Sequence, residues 1–438
     1  MSARLARRQF LQHSALGALT ATTLQPAAAQ PTRSASRTLV VALIGCGGRG
    51  THDMSRLKAN PNVELAYVCD VDESRRLEAA KNLGVEARCA VGDMRRVFDD
   101  PAVDAVIVAT PDHWHSPASI LACQAGKHVY VEKPISHNIR EGRLLVEAAA
   151  RHKVQVQHGI QSRSTQMMID AVKLLREGII GKVTVAKCWN IQRRGPLPPG
   201  QDTDPPAGLD YDNWIGPVTM IPYRTNRVHK RWTMWHHFGV GEMGNDGVHD
   251  LDYARWGLGV ETHPTSVAAI GGKFVLNDET EFPDTQQVTF EYPGDDSSAA
   301  KRMLIYEQRL WSTNYPHNCD SGAEFYGTAG QMFLSRRGKI QVLADRNQPI
   351  EVNVKPGPQD DAAHLQNFCA AIREGAKLNG DALTGHLTTS LCHLGNIATR
   401  LRRHLQFDPQ TEQFVNDRDA NALVRREYRD HWGRPSDA

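Results

Sequence analysis

The sequence predicts an α/β protein that opens on a doubly wound parallel sheet and continues into a second domain. Three observations carry this prediction. From residue 38 onward, continuous apolar runs of strand length alternate with polar segments of helix length. A glycine-rich turn stands between the first of those strands and the helix after it. The chain has 438 residues, more than one hydrophobic core usually organises.

Residues 1–29 are expected to lie outside the fold as an export signal. Arg7-Arg8-Gln9-Phe10-Leu11 has the R-R-x-F-L form of a twin-arginine signal. A weakly apolar stretch from His13 to Leu24 follows, then the small-residue run Ala27-Ala28-Ala29, and no acidic residue precedes Asp53. The expected partner during export is the twin-arginine translocase, and the expected destination is the periplasm. Cleavage after Ala29 removes Arg4, Arg7 and Arg8, taking the formal charge from +2 to −1. Such a balance argues against a nucleic-acid binder, which needs a basic excess to neutralise phosphates. No other stretch has the roughly 18 apolar residues needed to span a bilayer. The eight cysteines have no C-x-x-C spacing, so neither a zinc ribbon nor a dithiol pair is indicated.

Residues 30–37 read as a linker, and the nucleotide-binding domain is assigned to 38–160. Thr38 to Ile44, Val63 to Cys69, Val103 to Ala109 and His128 to Val131 read as buried strands, and Val154 to Gln157 as a further one. Glu73 to Leu83, Pro117 to Ala125 and Arg140 to His152 read as the helices between and after them. Gly45-Cys46-Gly47-Gly48-Arg49-Gly50 follows the first strand and opens a helix, the G-x-G-x-x-G context of a dinucleotide site. There Gly45, Gly47, Gly48 and Gly50 let backbone N–H groups approach a pyrophosphate. Asp70 ends the second strand about twenty residues on, placed to accept bonds from ribose hydroxyls and to repel a 2′-phosphate. NAD is therefore favoured over NADP, although Arg75 and Arg76 could reach a phosphate.

In an open parallel sheet, ligands bind beyond the carboxyl ends of the strands. The residues there are Gly45, Asp70, Thr110-Pro111-Asp112-His113-Trp114-His115 and Glu132-Lys133-Pro134. A lysine leaving a strand end beside a bound nicotinamide is withdrawn from bulk water and set for proton transfer.

The succession Gly45 to Gly50, Asp70, Thr110-Pro111 with His115, and Glu132-Lys133-Pro134 resembles the glucose-fructose oxidoreductase, inositol dehydrogenase and rhizopine-catabolism oxidoreductase family. Gly181-Lys182-Val183, the stretch Gly244 to Asp252 and the closing segment Gly385 to Leu401 resemble it too. The resemblance implies an N-terminal Rossmann doubly wound parallel sheet, with a C-terminal α+β domain, 161–438, built on an open, mostly antiparallel sheet. Strand-like composition in Lys182 to Trp189, Gln286 to Tyr292, Arg302 to Gln308, Ala323 to Tyr326 and Ile340 to Leu343 agrees with that. A glycine turn at Gly330 suits a return strand. The Pro- and Gly-rich insert from Gly195 to Asp212 reads as a loop over the cleft.

The same resemblance implies site roles. Gly45, Gly47, Gly48, Arg49, Gly50, Asp70, Thr110, Pro111, Trp114, His115, Glu132, Lys133 and Gln161 would bind NAD. Lys133 and His249 would be catalytic. Asn245 stands where the family commonly has an aspartate, and an amide can orient a hydroxyl but cannot relay a proton. The proton path could then run through Asp246, Asp250 or Lys133. Trp235, His236 and His237, with Asn245, Asp246, His249 and Lys133, would line the substrate pocket, since a sugar's apolar face stacks on indole. No metal is expected: there is no H-E-x-x-H and no cysteine spacing to anchor one.

The expected function is NAD(P)-dependent oxidation of a sugar, glycoside or polyol hydroxyl with a retained nucleotide. The alternative is redox-neutral NAD-dependent glycoside hydrolysis. It resembles the exported α-N-acetylgalactosaminidases in Gly48-Arg49, Trp114 with His115, Glu132-Lys133 and Gln161, and departs from them around His249. A non-catalytic nucleotide- and sugar-binding protein is the third reading. Oligomeric state stays open, a homo-oligomer included.

Overall fold

A computed structural model describes residues 37–229, 231–294 and 301–436. The export signal at 1–29 and nearly all of the linker lie outside the described residues.

The first sheet holds β1 (Leu39–Ile44), β2 (Val63–Cys69), β3 (Ala90–Val91), β4 (Ala105–Val108), β5 (His128–Val131) and β6 (Val156–His158). All pairs are parallel, in the order β3-β2-β1-β4-β5-β6. The order reverses between β1 and β4, which opens a crevice at their carboxyl ends. Helices α1 (Gly48–Lys58), α2 (Glu73–Leu83), α3 (Arg95–Asp99), α4 (Asp112–Gln124) and α5 (Ile139–His152) connect and cover these strands. Asp72 caps α2 by accepting the Arg75 N–H, and Gly84 ends it in the left-handed region. Helix α4 starts five residues before the Pro117 at which sequence reading begins it. Pro117 has no N–H for the carbonyl of His113, and that oxygen instead accepts from Arg426 Nη2 at 2.8 Å.

The second sheet contains β7 (Val183–Asn190), β8 (Ser266–Gly272), β9 (Thr285–Tyr292), β10 (Arg302–Arg309), β11 (Ser321–Gly327), β12 (Gly330–Ser335), β13 (Lys339–Ala344), β14 (Leu405–Asp408) and β15 (Gln413–Phe414). Its order is β13-β12-β11-β7-β10-β9-β8-β14-β15, antiparallel except where β7 meets β10. The return strand after the Gly330 turn is β12. Strand β8, Ser-Val-Ala-Ala-Ile-Gly-Gly, escapes sequence reading because alanine and glycine carry little strand preference.

Helices α6 (Gln166–Arg176), α7 (Tyr211–Ile215), α8 (Val248–Leu258), α9 (Asp361–Glu374), α10 (Ala382–Leu401) and α11 (Arg418–Ala422) complete the chain. The core of the second sheet forms where Leu251 and Tyr253 of α8 and Leu391 and Leu394 of α10 meet Phe290, Leu304 and Phe325. Helix α9 turns back, and its Leu365, Phe368 and Ile372 pack with Leu43 and Ile107 of the first sheet. No described helix is long and apolar enough to cross a membrane. All eight cysteines are free.

Candidate active site

The crevice is shaped by two glycines that cannot be replaced without displacement. Gly45 has φ +94°, and a Cβ on it would fall 2.5 Å from the carbonyl carbon and oxygen of Ala109. A Cβ on Gly50 would fall 2.1 Å from the Gly45 oxygen. These residues let β1, β4 and α1 close on each other. Gly48 meets nothing within 4 Å and faces open space. The loop therefore offers backbone N–H groups at the start of α1 to a pyrophosphate, and its geometry fits a dinucleotide.

The crevice is a cavity lined by Gly45, Gly47, Gly48, Arg49, Asp70, Thr110, Pro111 and Trp114 from the first domain. Asp70 accepts the N–H of Cys46 at 2.8 Å and that of Asp72 at 2.9 Å. Burial raises its pKa, against those two bonds. Two oxygens with roughly four acceptor sites still leave room for ribose hydroxyls. Arg75 lines the same cavity.

The opposite wall comes from the second domain. Asn213, Trp214, His229 and Trp232 roof the cavity. The Gly195 to Asp212 segment carries the chain across: the Glu73 N–H donates to Gly208 O at 2.9 Å and the Asp210 N–H to Val71 O at 3.0 Å. His229 Nε2 lies 3.0 Å from Asp72. Trp114 Nε1 donates to Asn213 O and Trp214 O, at 3.0 and 3.1 Å. The chain terminus adds a second layer, with the Trp432 ring 5.3 Å from that of Trp114 and Trp432 Nε1 bonded to Asn213 Oδ1 at 3.0 Å.

Beneath the crevice, a buried polar cluster fixes the strand end that carries Lys133. Arg49 Nε sits 3.0 Å from Asp53 and 3.1 Å from Glu132, and its Nη1 reaches Asp361 of α9 at 3.2 Å. Burial and the adjacent Glu132 push Asp53 above the usual carboxylate range, against the pull of Arg49. Glu132 is held below the usual carboxylate range: burial opposes this, and Arg49 and Lys133 outweigh it. Gln161 is buried and donates to Tyr130 Oη at 2.8 Å and Glu132 Oε1 at 3.0 Å, so it positions Glu132. His115 is buried, its ring nitrogens 2.6 Å from Pro134 O and 2.8 Å from Thr110 O.

Lys133 Nζ donates to the backbone oxygen of Asn245 and, at 3.1 Å, to its Oδ1. Asn245 lies in a π-helical turn, Met243–Gly247, that leads into α8; such widened turns recur at functional sites. Its Nδ2 donates to Glu242 Oε2 at 3.3 Å. The amide is thus pinned between a cation and a carboxylate, with Oδ1 toward Lys133. Asp246 is taken up by three donors: Gln192 at 2.6 Å, Arg336 at 3.0 Å and Arg194 at 3.2 Å. Burial raises its pKa, but Arg336 and the other cations outweigh this and hold it well below the carboxylate range. Asp250 accepts from Tyr253 at 2.5 Å and Asn190 at 3.0 Å, and burial pushes it up to about 7.

His249 follows one helical turn after Asn245 and is 6% exposed, with no hydrogen-bond partner on Nδ1. Burial, then Arg336 and Lys133, push its pKa well below the ordinary imidazole value. It is held as the neutral imidazole, the form that can accept a proton, while the fixed cations disfavour the imidazolium that results.

The structure divides the expected aromatic wall. Trp235 is buried under Arg227, 4.6 Å from its ring, and packs with Trp214 and Phe238. His237 is 6.0 Å from the Phe238 ring. His236 instead packs on Phe282 at 4.3 Å and lines a different cavity. Adjacent residues of an extended chain point to opposite sides, and the Trp235 backbone is extended. Sequence reading passes over Arg194, Glu242 and Arg336. They come from the end of β7, the turn before Asn245 and the turn after β12, and no local spacing links them.

Two groups among the described residues bring three ligand-type side chains together: His263, His386 and Glu412, and His52, Asp53 and Asp361. An arginine already supplies positive charge in each. Arg143 is 2.5 Å from Glu412, and Arg49 contacts both Asp53 and Asp361.

"Oxidoreductase family, NAD-binding Rossmann fold" matches residues 39–160, and "Oxidoreductase family, C-terminal alpha/beta domain" matches residues 172–434. The scyllo-inositol 2-dehydrogenase (NAD(+)) of Bacillus subtilis is 27% identical over 76% of this chain and 86% of its own. A glycosyl hydrolase family 109 protein of Saccharopolyspora erythraea is 31% identical, over 34% of each chain. The solved structure of levoglucosan dehydrogenase in complex with NADH and levoglucosan superposes with a TM-score of 0.65. It shares 19% identity, over 84% of this chain and 99% of that one. The parallel sheet with its glycine turn and the open second sheet behind Lys133 and His249 are those of one family. The chain belongs to the glucose-fructose oxidoreductase, inositol dehydrogenase and rhizopine-catabolism oxidoreductase family, and its first domain is an NAD-binding Rossmann domain.

Proposed function

We propose that this protein oxidises a hydroxyl of a sugar or polyol and keeps its NAD bound through turnover. The observation that carries the reading is the convergence of Lys133, Asn245 and neutral His249 where the nucleotide crevice meets the second domain. A bound nicotinamide ring supplies the hydride acceptor there. His249 accepts the hydroxyl proton as the substrate C–H leaves with its electron pair. Lys133, steadied by Asn245, donates a hydrogen bond to the reacting oxygen. Relatives whose names specify inositol and levoglucosan oxidation support a polyol or sugar substrate.

Retention is supported by the roof of Asn213, Trp214, His229 and Trp232 over the crevice, with Trp432 bonded to Asn213 behind it. Residues Arg7 to Leu11 support export by the twin-arginine route to the periplasm. A folded, exported enzyme without access to free NAD must restore its nucleotide on the same protein, by coupling two substrates or by a redox-neutral conversion.

The test is mass spectrometry of nucleotide released from purified protein, followed by a panel of sugars, polyols and aryl glycosides. We expect near-stoichiometric NAD, a single-turnover absorbance change with one sugar, and sustained product only when an aldose or ketose acceptor is added. Steady NADH formation from added NAD would overturn retention. Aglycone release without an acceptor assigns the glycosidase reaction instead, and silence across the panel assigns a binding protein.

Asp70→Ala is expected to weaken NAD more than NADP, since it removes a ribose acceptor and a charge repelling a 2′-phosphate. Equal losses in calorimetric titrations would remove Asp70 from that role. For export, residues 1–29 fused to a folded reporter should carry it to the periplasm. Arg7→Lys with Arg8→Lys should stop this, and unchanged reporter export would refute the signal.

A further inference from the structure

A second cavity of about 150 Å³ lies outside the nucleotide crevice, between the start of α5, α10 and the segment after α11. Its charged lining residues are Arg400, Arg425 and Arg426, and no carboxylate lines it. Arg400 and Arg425 are exposed and have no ion-pair partner among the described residues. His137, His236 and His393 form the deeper wall. Two buried nitrogens of this lining, His137 Nε2 and Arg426 Nε, have no hydrogen-bond partner.

The carboxylates nearby are otherwise engaged. Glu141 pairs with Arg426 at 2.7 Å, and Glu281 accepts the backbone N–H of His236 at 2.5 Å. The histidines are neutral: burial lowers His236, pushes His137 well down and brings His393 to about 3. The uncompensated positive charge is therefore that of Arg400 and Arg425, whose planar forks match the oxygens of phosphate and carboxylate groups. Asn138, the N-cap of α5, also lines the cavity, so the positive end of a 14-residue helix adds to it.

We propose that this cavity is a binding site for a small, multiply charged oxyanion, of the phosphate or dicarboxylate class, separate from the nucleotide and substrate sites. The oxyanion sits between the Arg400 and Arg425 guanidinium groups. Neutral sugars, lacking the charge, do not compete for it.

The test is calorimetric titration of the NAD-loaded protein with inorganic phosphate, with malonate and with myo-inositol. Loading with NAD keeps the glycine loop from taking up phosphate. We expect one saturable site for phosphate, malonate or both, and none of this kind for myo-inositol. Arg400→Gln and Arg425→Gln should each weaken that site at least about tenfold, with NAD content unchanged. Malonate without phosphate assigns a dicarboxylate, and phosphate without malonate a phosphoryl group. Absence of saturable anion binding, binding untouched by both variants, or displacement of the bound anion by myo-inositol overturns the site. These readouts are independent of turnover, so failure of the oxidoreductase reading leaves this test intact.

Discussion

Lys133→Ala and His249→Ala should each reduce turnover by about two to four orders of magnitude, the range of a positioned acid or base. NAD content should remain near wild type, because neither residue lines the roofed part of the crevice. The measurement is kcat for the best substrate of the panel, alongside nucleotide released per protein. A variant with near-normal kcat would remove its residue from the site. The pH profile adds a sign. His249 acts as a base only when neutral, and burial with Arg336 and Lys133 pushes its pKa well below 6.5. Activity should therefore persist below pH 6.5, and an acid limb centred at the ordinary imidazole value would contradict this environment. Asn245→Ala should be milder than either, since it loosens Lys133 without removing a proton carrier.

Gly50→Ala should lower NAD affinity by about a hundredfold or more and destabilise the fold by about 1–3 kcal/mol, the usual cost of overpacking. Its new Cβ would sit 2.1 Å from the Gly45 oxygen and 3.1 Å from the Ala109 and Leu43 side chains, so α1 must move away from the sheet. Gly48→Ala provides the contrast. Nothing lies within 4 Å of its Cβ, so the fold should keep its stability and only the approach of a pyrophosphate should suffer. Thermal unfolding of both apoproteins with NAD titrations checks the pair. Equal stability losses would mean that glycine identity matters for conformation rather than for space.

These two experiments address parts of the molecule that differ in how they could be read in advance. The glycine turn, Asp70 and Lys133 are local: each follows a strand by a fixed number of residues, and a parallel strand is written as an unbroken apolar run. Period and punctuation therefore locate the crevice. Strand β8 could not be read that way, because two alanines and two glycines form a strand only where neighbours on both sides hold it. The beginning of α4 could not be read either, because its Pro117 is tolerated through Arg426, 309 residues on, bonding the carbonyl that the proline leaves free.

The sequence by itself determined the parallel sheet, the dinucleotide turn and the family, since these depend on residue order and short spacing. Only the tertiary structure decided what those residues touch. It set Asn245 between Lys133 and Glu242, occupied Asp246 with Arg194 and Arg336, and turned Gln161 onto Glu132. It also sent His236 to a different cavity and drew Asn213, Trp214, His229 and Trp232 over the crevice. The physical reason is that hydrogen bonds and ion pairs are short-ranged in space and indifferent to separation along the chain. Which distant donor meets which buried carboxylate is settled only once the cores of both sheets have closed.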